Sequence, residues 1–141
     1  MNLYAESSAI LAWLLDEESA GKVRESLAAA EVVVASDLTL IECDRVLIRA
    51  ATEGELTEVE AADRRAHLTA VAVHWHTLRI APEIVDRARQ PFPGEPIRTL
   101  DAIHLASIMT ARTAIAGLRL LSLDDCVRRA AKRLGLGLLP E

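Results

Sequence analysis

Apolar positions in this chain recur in two alternating rhythms, short runs of the strand type and longer stretches at helical spacing. Asn2 to Glu6 reads as a short strand, and Ser7 and Ser8 are placed to cap a helix running through Ile10, Leu11, Leu14 and Leu15. A second amphipathic helix from about Ser19 to Ala30 leads into the β-branched run Val32-Val33-Val34-Ala35, of the kind buried in a parallel sheet. From Leu38 to about Glu53, Leu40, Ile41, Val46, Leu47 and Ala50 return at helical spacing until Gly54 stops them, with Glu42, Arg45 and Arg49 on one face. Residues 57–70 predict a charged helix. Val71 to Ile80 contains the next strand, Val71, Val73 and Trp75 alternating with His74 and His76.

Pro82 opens another helix at its first turn. Gln90-Pro91-Phe92-Pro93-Gly94-Glu95-Pro96 is a rigid loop, because proline removes donors and fixes φ. Thr99 then caps a helix over residues 100–113, Arg119 to Leu123 is a strand, and Val127 to Leu134 is a helix closed by Gly135. Leu136 to Leu139 adds an edge strand. Strands alternating with helices predict an α/β fold with a parallel sheet covered on both faces. The expected unit is one domain spanning residues 1–141, since no linker or repeat interrupts it.

Ligands in such folds bind beyond the carboxyl ends of the strands. Glu6 and Asp124 lie there by the strand reading itself, and Glu42 and Asp101, in the first turns of their helices, reach the same edge. Singly, each acid has a structural explanation at the positive end of a helix dipole. Thr39 to Glu42 matches a capping box, and Asp101 follows the expected Thr99 cap. Jointly they have another, because like charges a few ångströms apart stay ionised only when a cation joins them. His74 and His76 read as surface or packed strand residues, and His104, one turn after Asp101, reads chiefly as a helix-packing residue.

Composition narrows the chemistry. The net charge of −5 argues against a protein that coats nucleic acid nonspecifically, and 3% aromatic residues leave too few rings for base-stacking platforms. Of the 16 basic residues all but Lys22 and Lys132 are Arg, whose planar fork grips phosphate at two points. The longest apolar run, Ala9 to Leu15, is too short to span a bilayer, so no membrane contact and a cytoplasmic location are expected. Cys43 and Cys126 lack metal-type spacing.

Arg98-Thr99-Leu100-Asp101-Ala102-Ile103-His104-Leu105-Ala106 and Leu121-Ser122-Leu123-Asp124 resemble the motifs of PIN-domain ribonucleases, in particular VapC-type toxins of bacterial toxin–antitoxin pairs. The resemblance continues at Leu3 to Ile10 and at Ser36 to Glu42 with Arg45 following, so it covers the whole chain in order. It implies a three-layer α/β/α PIN-like fold with a mostly parallel central sheet of four to five short strands. It also implies a Mg²⁺- or Mn²⁺-dependent endoribonuclease whose ion is held by Glu6, Asp101 and Asp124, with Glu42 completing the site. Ser7 and Ser8, and Arg45, Arg49 and Arg98, are candidate substrate contacts, the serines also as hydroxyls near the metal. The implied partners are an RNA substrate, a small antitoxin and a second copy of the chain in a homodimer.

One position departs from the family pattern, which has Asp after the first strand where this chain has Glu6. Two readings follow: a metal-dependent nuclease, or a PIN-fold binding module in which Glu6 has weakened or removed catalysis. A phosphoryl-accepting α/β domain fits less well, because neither lysine follows a strand and no Gly-rich phosphate loop is present.

Overall fold

A computed structural model of the chain describes residues 1–141. Its centre is a sheet of five parallel strands, β1 (Asn2–Ala5), β2 (Val32–Ser36), β3 (His76–Leu78), β4 (Leu118–Leu121) and β5 (Gly137–Leu139), in the order β3-β2-β1-β4-β5. Strand β1 is central, pairing Tyr4 with Val34 on one side and with Leu120 on the other. Parallel neighbours require crossovers, and the helices that make them cover both faces.

The alternation of side chains along the strands divides the interior in two. Tyr4, Val34, Leu118 and Leu120 face a core shared with Ile84, Leu105, Ile108 and Val127. Those partners come from α5 (Pro82–Ala88), α6 (Thr99–Ala111) and α7 (Asp125–Arg133). Leu3, Ala5 and Leu121 face the opposite core with Ile10, Leu14, Val23, Cys43, Leu47 and Leu68. Its helices are α1 (Ser7–Leu14), α2 (Ala20–Ala29), α3 (Asp37–Thr52) and α4 (Glu58–Ala72). The result is the expected three-layer α/β/α arrangement, PIN-like in its all-parallel sheet. No helix is long and apolar enough to cross a membrane.

Several element ends differ from the sequence reading. Helix α4 continues through Ala72, and the strand is confined to His76–Leu78, so Val71 and Val73 do not alternate in a sheet and His74 and His76 share no strand face. The reason is a capping box, Thr57 Oγ1 accepting from Glu60 N at 3.1 Å and Glu60 Oε1 from Thr57 N at 3.1 Å, followed by the buried stripe Ala61, Leu68, Ala72. Helix α3 starts earlier, at Asp37. Ser36 Oγ accepts from Leu38 N at 3.0 Å, and Thr39 Oγ1 accepts from Ser36 N at 3.2 Å while donating to Ala5 O at 3.0 Å. The capping box is therefore Ser36 with Thr39, and Glu42 sits in the second turn.

Ser7 and Ser8 lie inside α1, with Glu6 as N-cap and no side-chain cap bond. Thr99 is the first residue of α6, and the N-cap is Arg98. Strand β4 ends at Leu121, and Ser122 and Leu123 lead to Asp124, the N-cap of α7.

Candidate metal centre

Glu6 leaves the carboxyl end of β1, where its amide donates to Leu121 O at 3.0 Å, and its side chain is almost wholly buried. One oxygen, Oε2, accepts from Ser122 Oγ at 2.7 Å and from Ser8 Oγ. The other, Oε1, has no protein hydrogen-bond donor and lies 3.9 Å from His104 Nε2. The hydroxyl of Ser8 also accepts from Leu123 N at 2.9 Å, which ties the start of α1 to the loop after β4.

Glu42 comes from the second turn of α3 and reaches the same place. Its Oε1 accepts from Ser7 Oγ at 2.7 Å and from His104 Nε2 at 2.5 Å. The imidazole of His104 is 1% exposed, and its Nδ1 lies 2.8 Å from the hydroxyl of Tyr4. Burial pushes the Tyr4 hydroxyl far up from its ordinary value, so it keeps its proton. An ionised carboxylate only accepts, so Nε2 carries the proton facing Glu42 and Nδ1 accepts from Tyr4. Burial opposes the charge on Glu42, but the hydrogen bonds from His104 and Ser7, with the attraction of Arg98, outweigh it and hold the carboxyl below its usual value.

Asp101 and Asp124 form the outer half of the site. Asp124 Oδ1 accepts from Val127 N at 2.9 Å and so caps α7, and Oδ2 accepts from an Arg98 terminal nitrogen at 3.3 Å. Asp101 Oδ2 accepts from Arg98 Nε at 3.0 Å. Ser122 joins the halves, because the same Oγ that donates to Glu6 accepts from Asp124 N at 3.1 Å. All four acids thus lie at one edge of the sheet. Glu6 and Glu42 are drawn together by hydroxyls and an imidazole, Asp101 and Asp124 by one guanidinium.

The donor set suits a hard divalent cation. Ligand atoms of Glu6, Glu42 and His104 lie within 4.8 Å of one another. Carboxylate oxygens with an unsatisfied lone pair, as at Glu6 Oε1, match Mg²⁺ and Mn²⁺. His104 Nε2 is engaged by Glu42, so the imidazole acts behind the carboxylate, in the manner of a group that orients a ligand. The serines occupy the same supporting layer. Arg45 and Arg49 are exposed on α3 and line, with Glu42, Leu38, Ile41 and Leu100, a groove of about 510 Å³ leading away from the acids.

Sequence reasoning missed Ser122 and Tyr4 and undervalued His104. The available signal was a histidine one turn from Asp101, in the mostly apolar stretch Ala102 to Ile108 that is buried at every position but Ile103.

The fold has solved counterparts. It superposes on VapC20 of Mycobacterium tuberculosis, a toxin that cleaves the sarcin–ricin loop, with a TM-score of 0.66 at 14% identity, covering 91% of this chain and 94% of that one. VapBC2 of Rickettsia felis, bound to a DNA fragment from its promoter, gives 0.65 at 12% identity, covering 98% and 97%. A toxin–antitoxin complex from Klebsiella pneumoniae gives 0.59 at 19% identity, covering 88% and 87%. Comparison with curated protein sequences returns no significant match. At these identities the structural likeness is one of fold, and membership rests on the sequence itself. Residues 3–133 match the family profile described as PIN domain, and the chain belongs to that family.

Proposed function

We propose that the chain is a Mg²⁺- or Mn²⁺-dependent endoribonuclease, a single-domain VapC-type toxin restrained by a small antitoxin. The observation that carries the reading is the convergence of Glu6 and Glu42, held by Ser7, Ser8, Ser122 and His104, beside Asp101 and Asp124 in a PIN-domain chain. Glu6, Glu42, Asp101 and Asp124 would hold the ion. When bound, it supplies positive charge that activates water for attack on phosphorus and offsets charge on the departing oxygen. Ser8 and Ser122 hold Glu6 by Oε2 and leave Oε1 free of hydrogen-bond donors, and His104 keeps Glu42 ionised and aimed. No nucleophilic side chain is needed.

Arg45 and Arg49, exposed along the groove, suit the RNA backbone, and Arg98 suits a phosphate nearer the acids. An antitoxin partner is supported by the fold's counterparts in toxin–antitoxin assemblies, and a cytoplasmic twofold homodimer is the expected state. The test is expression of the chain alone, wild type beside Asp101→Asn, scoring growth arrest and RNA breakage with Mn²⁺ and with EDTA. Metal-dependent breakage lost in the variant is the expected result, and cleavage retained by Asp101→Asn refutes the assignment.

The second reading, a PIN-fold module that binds antitoxin or RNA without cutting, draws on one observation. Glu6, not Asp, occupies the end of β1, and its Oε2 is committed to two serine hydroxyls.

A further inference from the structure

The geometry points to Arg98 as a stand-in cation, a side chain that neutralises Asp101 and Asp124 until a metal displaces it and the RNA backbone receives it. This inference rests on the metal-nuclease reading. Among the four acids, no other arginine or lysine is ion-paired, and Arg98 serves two of them from one fork: Nε to Asp101 at 3.0 Å and a terminal nitrogen to Asp124 at 3.3 Å.

Local structure makes that placement unusual. Arg98 is the N-cap of α6 and forms no capping bond there. N-caps favour Ser, Thr, Asp or Asn, and a cation at this end opposes the helix dipole. A residue that breaks the local rule is explained by what its side chain does elsewhere. Its backbone is held from the preceding loop, where Glu95 accepts from Phe92 N at 2.8 Å and from Ile97 N at 2.6 Å, while Phe92 is buried. The backbone is anchored, while the side chain, 73% exposed, is held only by its two ion pairs.

Exposed ion pairs are weak, so a divalent ion competing for the same two oxygens can remove Arg98 from them. The released guanidinium stays within its own length of the acids, where a scissile phosphate would lie, and it matches phosphate in two-point fashion. Metal and RNA then assist each other's binding, and the assistance is reciprocal.

The test measures Mn²⁺ affinity from the electron paramagnetic signal of the free ion, for the full chain and for Arg98→Gln, Arg129→Gln and Asp101→Asn. Arg129 is an exposed arginine of α7 without a pair to the acids. Arg98→Gln is expected to bind Mn²⁺ about three- to tenfold more tightly, the range of one or two exposed pairs. Arg129→Gln should gain less than about twofold, the scale of a screened surface charge. Equal gains in the two variants overturn the stand-in role. Asp101→Asn binding Mn²⁺ like wild type overturns the metal site itself.

Binding of a 2′-O-methylated RNA oligonucleotide, followed by fluorescence anisotropy, tests the transfer. At saturating Mn²⁺, Arg98→Gln should reduce the slope of log affinity against log salt by about 0.7, one phosphate contact on a single strand. In EDTA the two proteins should bind alike. A loss of the same size with and without Mn²⁺ makes Arg98 a permanent phosphate contact and overturns the transfer.

Discussion

His104 Nε2 lies 2.5 Å from Glu42 Oε1, 62 positions away along the chain, and the other nitrogen of the same ring lies 2.8 Å from the Tyr4 hydroxyl. A buried imidazole held at both nitrogens has one tautomer and one orientation, and it transfers that definition to the carboxylate it faces.

His104→Ala leaves the Tyr4 hydroxyl and Glu42 without their shared partner. It should destabilise the fold by about 1–3 kcal/mol, through an unsatisfied buried hydroxyl, and lower Mn²⁺ affinity by roughly 10- to 100-fold. Chemical denaturation and metal titration measure the two separately. An affinity unchanged from wild type would show that the imidazole only packs.

Glu6→Asp shortens the side chain by one methylene, so the carboxylate can no longer keep both Ser8 and Ser122. The expected outcome is a loss of about 1–2 kcal/mol in stability, from hydrogen bonds to a charged group, together with reduced cleavage. A large gain of metal-dependent cleavage from an inactive wild type would instead favour the binding module.

Ser122→Ala removes the hydroxyl that donates to Glu6 and accepts from Asp124 N. Ser122 is fully buried, so the cost should be about 1–3 kcal/mol, and the two halves of the site lose their link. A double-mutant cycle with Glu6→Gln checks this. Additive losses would sink the idea of a coupled pair.

Glu42 has a folded-state pKa below its ordinary value, which sets the sign of its pH dependence. The unfolded chain binds the proton more readily, so the contribution of Glu42 to stability is complete above about pH 4.3 and fades as the pH falls through the lower folded value. Metal-free wild type should therefore lose stability more steeply than Glu42→Gln in that acidic window. Parallel curves would contradict it.

Residues at strand ends were legible without coordinates. Glu6 follows β1 and Asp124 caps α7, because a short, mostly apolar run followed closely by a helix start leaves little choice of position. Boundaries were misread where two local patterns competed. Val71, Val73 and Trp75 alternate as a strand would, yet Leu68 and Ala72 continue a helical stripe anchored by the Thr57 cap, and the helix prevailed. Thr39 and Glu42 have capping-box spacing, but Ser36 was already in place to pair with Thr39. The role of His104 was not legible, because both of its partners lie on other elements, 62 and 100 residues away. Hydrogen bonds of that span belong to tertiary structure, which periodicity does not encode.

Strand β1 sends Tyr4 into one core and Leu3 and Ala5 into the other, and immediately afterwards delivers Glu6 to the rim. The catalytic edge therefore has its foundation in the hydrocarbon interior: whatever shifts Tyr4 also turns the ring of His104 and swings the oxygen of Glu42. Enlarging or hollowing the packing at Leu105 or Ile108, which share the core of Tyr4, would thus displace the carboxylate rim from a distance, through residues that never reach the surface.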